Sequence, residues 1–308
     1  MNNTASAPRL RLDNVPVADS HIHKKRWTVI RDYMYIAPAV ILVAVFFISS
    51  ILYTLMLSFN NWDGVNKMEF CRIDNYLALF GDSNFMISVG NTLIWVVSSL
   101  VISVLLPLLL AIMITKSSFA KLFTNFFYFP TAISATVSGV IMATLLSTYG
   151  IPYLLGQLGH PEMVKDWLAV PYVNTFVMIL TGIWQGIGLN LVLYVAAFRN
   201  VDLSPIEAAM IDGVGPVKLY TKVVLPLIRP TIIVILLMSL VNSFKVFDGI
   251  WVMTKGGPYR SSETLALTMY EESFIYNRYG RGAAVAIVLT VVILIVSYFN
   301  LRNTFREE

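Results

Sequence analysis

SNFMISVGNTLIWVVSSLVISVLLPLLLAIMIT, residues 83–115, runs thirty-three positions without an aspartate, glutamate, lysine or arginine. A helix that crosses the hydrocarbon layer of a bilayer needs about 20 consecutive apolar residues, and this stretch is longer than that. Four further gaps free of charge can each hold such a helix: 33–62, 122–161, 167–198 and 282–301. A sixth apolar run, 230–254, is interrupted only by Lys245 and Asp248. Charged residues are 13% of the chain and hydrophobic ones 57%, against about 25% charged in soluble domains. One soluble core built from these segments would lack the polar surface to cover it. The expected fold class is therefore an all-α integral membrane protein of six transmembrane helices, placed at 33–57, 88–115, 121–147, 172–198, 231–254 and 282–301.

Orientation follows from the bias of lysine and arginine toward cytoplasmic loops. With the N-terminus inside, fourteen of these residues fall on the cytoplasmic side and seven outside, and the reverse topology would invert that ratio. Both termini are expected to be cytoplasmic. Residues 1–28 read as a flexible tail and 29–308 as the membrane domain, which contains a cytoplasmic loop at 199–230. The first apolar run is too long for a cleavable signal and lacks a small-residue cleavage site. The net charge of +4 comes from bases in short loops beside apolar segments, not from a basic stripe, so nucleic acid is not a partner. A single cysteine, Cys71, excludes an internal disulfide framework. His21 and His23 are too few to define a metal site. Pro107 and Pro130 fall inside expected spans, where neighbouring helices can satisfy the carbonyl each one frees.

The longest internal cytoplasmic segment is NVDLSPIEAAMIDGVGPVKLYTKVVLPLIRP, 200–230. Ser204-Pro205-Ile206-Glu207 has the pattern of a capping box with proline at the first helical position. A short helix should end at Gly213, which tolerates a left-handed stop. Gly215-Pro216 should open a second helix that runs to Leu225 and stops at Pro226, with Val217, Tyr220 and Val224 on one face and Lys218 and Lys222 on another. The segment is thus a helix–turn–helix on which Ala208 and Ala209 allow close approach of a partner.

Glu207-Ala208-Ala209, then Gly213 after three residues, then Val223-Val224-Leu225-Pro226 after nine, resembles the EAA motif of binding-protein-dependent ABC importer permeases; the usual isoleucine is valine here. GIWQGIGLNLVLYVAAF (182–198), FKVFDGIWVMTKGGP (244–258), YFPTAIS (128–134) and Asn91-Thr92 resemble the flanking segments of the carbohydrate-uptake branch, that of maltose-type and glycerol-3-phosphate-type permeases. The resemblance covers roughly residues 33 to 301. It implies the type I permease fold and a multi-pass place in a prokaryotic cell membrane. The partners it implies are a dimer of ATP-binding cassette subunits, a second homologous permease in a mixed pair, and an external solute-binding protein. Glu207, Ala208, Ala209, Gly213, Leu225 and Pro226 would then couple the chain to the ATPase. The chain has no G-x-x-x-x-G-K-[ST] phosphate loop, so it is expected not to be an enzyme, to hold no cofactor, and to leave ATP to its partner. The external loop 58–87 is too short for an inserted domain, so contact with the binding protein would use 58–87, 148–171 and 255–281.

Lys245 and Asp248 lie three apart within an expected span, with Asn242 on the same stripe, at about 21 Å along a layer of roughly 30 Å. Thr181, Gln185 and Gly188 form a second polar or small stripe. Two readings stand open. Asn242, Lys245, Asp248 and Gln185 line a solute pathway, or they form an internal ion pair and interhelical hydrogen bonds that hold the bundle. Trp62, Trp167 and Trp251 near span ends read as an aromatic belt. The rival to an importer subunit is a stand-alone secondary transporter or channel for a small polar solute. It should show repeated halves or several intramembrane carboxylates, and Asp248 is the one acid within the six expected spans.

Overall fold

The computed structural model describes residues 26–115 and 117–305. All of the tail but its last three positions, with His21 and His23, lies outside the described residues. The described helices are α1 (Arg26–Val43), α2 (Ser49–Ser58), α3 (Asp74–Phe80), α4 (Ser83–Thr115), α5 (Ala120–Tyr128), α6 (Ala135–Leu146), α7 (Ile151–Gln157), α8 (Val173–Asn200), α9 (Ser204–Ile211), α10 (Pro216–Leu219), α11 (Leu225–Leu227), α12 (Arg229–Phe244), α13 (Asp248–Met253), α14 (Leu265–Tyr270) and α15 (Tyr279–Phe305). Two short strands, β1 (Asn60–Asn61) and β2 (Glu69–Phe70), pair antiparallel with Asn60 opposite Phe70. Contacts divide the chain at Leu52 into two units. In the first unit α1 leads into a π-turn, Ala44–Ile48.

Six helical stretches are long and apolar enough to cross a membrane: Tyr33–Ser58, Ser83–Thr115, Ala135–Gln157, Val173–Asn200, Arg229–Met253 and Tyr279–Asn300. Five coincide in extent with the sequence expectation, although the fifth is interrupted after Phe244. The third does not. The continuous helix expected at 121–147 is broken into α5, a 3-10 turn at Phe129–Ala132, and α6. Pro130 contributes no amide donor, and Ile133 and Ser134 turn extended. The Ser134 hydroxyl then caps α6 by accepting from the Val137 amide at 3.3 Å. Pro107, by contrast, is buried within an unbroken α4.

In the second unit α8 is central, packing against α4, α5 and α12, while α13 packs on α6 and α14 on α15. One apolar cluster joins Val104, Leu108, Leu191, Tyr194 and Ile235. A second joins Trp95, Met178, Ile183, Ile250 and Leu267. A third joins Phe85, Leu240, Phe244, Leu265 and Val285. Where α8 meets the end of α5, Gly188 permits the approach: a Cβ there would lie 2.5 Å from the Phe127 carbonyl oxygen and from the Tyr128 Cα. Both are backbone atoms and cannot swing aside. Gly188→Ala should therefore lose about 1–3 kcal/mol of stability, read as a lower melting temperature of the purified protein. An unchanged melting temperature would mean that α5 and α8 separate freely.

Candidate functional site

The segment 199–230 folds as expected into a helix–turn–helix, with local differences. Its first helix is not closed by a capping box: Ser204 lies inside α9, and its amide donates to Asp202 Oδ1 at 3.0 Å. Asp202 is two residues earlier and supplies a charged acceptor. The Glu207 carboxylate is left exposed, without a partner among the described residues. Gly213 ends the helix at φ +73°, with its amide donating to Met210 O and the Val214 amide to Ala209 O, both at 3.1 Å. These bonds satisfy the last carbonyls of the helix. Pro226 does not stop the second helix. A π-turn at Tyr220–Val224 resets the ladder, the Leu225 amide donates to Tyr220 O, and the helix runs through Pro226 to Leu227. The π-turn also changes the helical phase, so that Val217 is exposed while Val224 is buried. Ile206, Met210, Leu219 and Tyr220 instead face Thr115 and Phe198 at the ends of α4 and α8. Outward the knob shows Glu207, Ala208 and Gly213, with Ile211 86% exposed beside them and Ala209 half-buried. Leu225 is half-buried and Pro226 exposed.

The second candidate site lies at the fifth span. The sequence placed Lys245 and Asp248 on one continuous helical face, and that expectation fails. α12 ends at Phe244, Lys245 to Phe247 leave the helix, and α13 begins at Asp248. The Thr264 hydroxyl donates to Val246 O at 3.0 Å, satisfying a carbonyl that the break frees. Phe247 packs against Trp251 and Tyr270. No ion pair joins Lys245 to Asp248 among the described residues, so the packing reading of these two has no bond to support it. The break nonetheless brings Asn242, Lys245 and Asp248 to one cavity of about 420 Å³, shared with Trp95, Ser138 and Gln185. A contiguous cavity of about 290 Å³ shares Trp95 and Asn242 and adds Ser99, Asn190 and Ser239. Gln185 has a further task. Its Nε2 donates to Ile133 O at 2.9 Å, and its backbone carbonyl accepts from the Thr131 hydroxyl at 2.8 Å. It closes the gap in the ladder of the broken third span.

A polar cluster that the sequence did not point to ties the segment 255–281 to the ends of α4 and α15. Glu263 is 1% exposed. Its carboxylate pairs with Arg260 and accepts from the hydroxyls of Ser88 at 3.2 Å and Thr268 at 2.6 Å. Asn91 donates to the carbonyls of Arg260 and Glu263 at 3.1 and 2.9 Å, and the Leu265 amide donates to Thr92 Oγ1 at 2.9 Å. Arg281 pairs with Asp82 and lies 3.5 Å from Glu272. The signal was present in Ser261-Ser262-Glu263-Thr264 just before an apolar run, but the partners lie on separate elements.

Glu271 has one cation near it, Arg260 at 3.8 Å. Burial, and after it the charge of Glu263, push its carboxyl up to about 7, while Arg260 acts in the other direction. Its ordinary value is 4.5, so between these limits the folded protein holds a proton that the unfolded chain has released. Stability attributable to this group is then lost as pH rises from about 4.5 to about 7. The side chain is 14% exposed, and solvent screening reduces the loss to about 1–2 kcal/mol. Glu271→Gln should flatten that part of the melting-temperature profile and raise its alkaline arm. A profile identical to that of the parent chain would contradict the assignment.

Residues 83–305 match the family described as binding-protein-dependent transport system inner membrane component. A probable ABC transporter permease protein of Pyrococcus horikoshii is 31% identical over 280 residues, 89% of this chain and 96% of that one. The arabinooligosaccharides transport system permease protein of Bacillus subtilis is 29% identical, covering 90% of each. A chain from the crystal structure of a bacterial ABC transporter involved in the import of the acidic polysaccharide alginate superimposes with a TM-score of 0.79 at 25% identity, over 91% of this chain and 98% of that one.

Proposed function

Because the chain belongs to the binding-protein-dependent transport system inner membrane components, we propose that it passes a sugar or related polyhydroxy solute, with Asn242, Lys245 and Asp248 touching that solute at the break in the fifth span. As a permease of an ABC importer it is a non-catalytic membrane subunit. It works with a separate ATPase, a second permease and a solute-binding protein. The rival reading as a stand-alone transporter falls with the family assignment. ATP is held by the partner, and the knob of α9 and α10 faces the cytoplasm together with both termini, in accord with the two-to-one bias of lysine and arginine. Glu207, Ala208, Ala209 and Gly213 form the surface that the ATPase grips, and Leu225 and Pro226 carry its movement into α12.

The observation that carries the solute assignment is the cavity of about 420 Å³ itself. A helix break is costly inside a bilayer unless it lines a cavity or is buried in protein, and this one exposes an amide, an ammonium and a carboxylate side by side. Such groups match sugar hydroxyls as donors and acceptors. The relative named for arabinooligosaccharides supports the same substrate class.

The test is the complete assembly in lipid, with ATP hydrolysis followed against a panel of sugars. One sugar with its binding protein should stimulate hydrolysis. Asn242→Ala should raise the concentration needed for half-stimulation about tenfold at an unchanged melting temperature. Gln185→Ala should do the reverse, lowering the melting temperature because Ile133 O loses its donor. If Asn242→Ala lowered only the melting temperature, it would belong to packing and not to the path.

A further inference from the structure

At the knob end of the fourth span, α5 and α8 flank a separate open cavity of about 390 Å³. Lys121, Thr124 and Asn125 line it from α5, and Arg199 and Asn200 from the last turn of α8, over a floor of valine and alanine. The Thr124 hydroxyl is already committed to Ala120 O at 2.8 Å. Lys121, Asn125, Arg199 and Asn200 have no partner among the described residues. No acidic side chain lines the cavity. Two positive charges without a counter-charge among the described residues, and two carboxamides, therefore face one space.

We propose that this cavity is a phosphate site, filled by the headgroup of an anionic lipid from the leaflet at the knob end. The guanidinium of Arg199 presents a planar fork of donors that matches phosphate oxygens two at a time, and Lys121 adds a point charge. The carboxamides of Asn125 and Asn200 supply further N–H donors. A lipid is favoured over a free anion by position. Arg199 and Asn200 close the span Val173–Asn200, the level at which headgroups lie, and basic pockets between helices on that side suit anionic headgroups. The opposite face of α5 presents Leu122, Phe123 and Phe126, all exposed, as apolar surface for acyl chains next to the site. The assignment does not depend on which solute is carried.

The experiment uses the assembled complex in nanodiscs of phosphatidylcholine with and without phosphatidylglycerol, and counts retained phosphatidylglycerol by native mass spectrometry. The double variant Lys121→Gln, Arg199→Gln should bind it at least about tenfold more weakly, with an unchanged melting temperature in phosphatidylcholine alone. Lys218→Gln, Lys222→Gln removes the same charge from the knob and should leave retention unchanged. Equal loss in the two double variants would overturn the site in favour of general surface attraction. Inorganic phosphate is the second arm. If it bound alone with the same dependence on Lys121 and Arg199, and phosphatidylglycerol did not, the phosphate chemistry would stand and the lipid source would fall.

Discussion

Leucine at position 213 should leave the chain folded and inserted yet abolish solute-stimulated ATP hydrolysis and uptake. Gly213 sits at φ +73°, a conformation that costs a residue with a Cβ about 1–2 kcal/mol. Within this chain a Cβ at that position meets nothing within 4 Å, so folding has no other objection to a larger residue. The remaining effect falls outside the chain, where the side chain would project into the surface proposed for the ATPase. Alanine separates the two contributions. It carries the backbone penalty with little bulk, and should reduce uptake by at most about five- to thirtyfold where leucine removes it. The readout is uptake by reconstituted vesicles, with insertion checked on the same samples. Normal uptake by the leucine variant would end the coupling role of this turn.

Removal of the Glu263 carboxylate is expected to be strongly destabilising. Glu263→Ala would leave the guanidinium of Arg260, 30% exposed, without its nearest counter-charge, and would take one charged acceptor from the hydroxyls of Ser88 and Thr268, which keep weaker ones in Asn84 O and Thr264 O. Breaking a buried pair from one side costs about 3–5 kcal/mol, and the partial exposure of Arg260 points to the lower figure. Removing both charges, as in Arg260→Met with Glu263→Gln, should recover part of the loss below about pH 7, where Glu271, which loses Arg260 as well, is held protonated. Melting temperatures of the single and double variants decide the matter. A double variant no more stable than Glu263→Ala would show that the pair is not what holds this segment.

The spans were legible because a bilayer imposes a rule that one residue at a time can satisfy: about 20 positions without charge. The knob was legible for a similar reason, since a left-handed stop at Gly213 and a proline at the first position of the next helix act locally. What escaped the sequence depends on distant partners. Whether Pro130 bends or breaks the third span is decided by Gln185, fifty-two positions beyond Ile133, which offers the donor that makes a break tolerable. The interruption after Phe244 likewise rests on the hydroxyl of Thr264. Lys245 and Asp248 were a clue to it, but a charged pair inside a span also fits an unbroken helix with one polar face. The choice of cap between Asp202 and Ser204 was a contest between neighbours that composition does not settle. Glu263 was invisible because its partners come from α4, α14 and its own loop.

The interruption of the fifth span divides it into two members in series. From 216 to 244 the backbone is helical apart from a single turn at Ile228, so under the proposed coupling a push on the knob would travel along a rod jointed at that turn and at the π-turn before it, ending at Phe244. Beyond it, Asp248–Met253 is clamped to α6, and the link between is pinned by Thr264. Asn242 and Lys245 lie on or at the end of the rod, and Asp248 on the separate member beyond it. Under the proposed coupling, a shift of one member relative to the other would change the width of the seam between Lys245 and Asp248, as a door moves against its jamb.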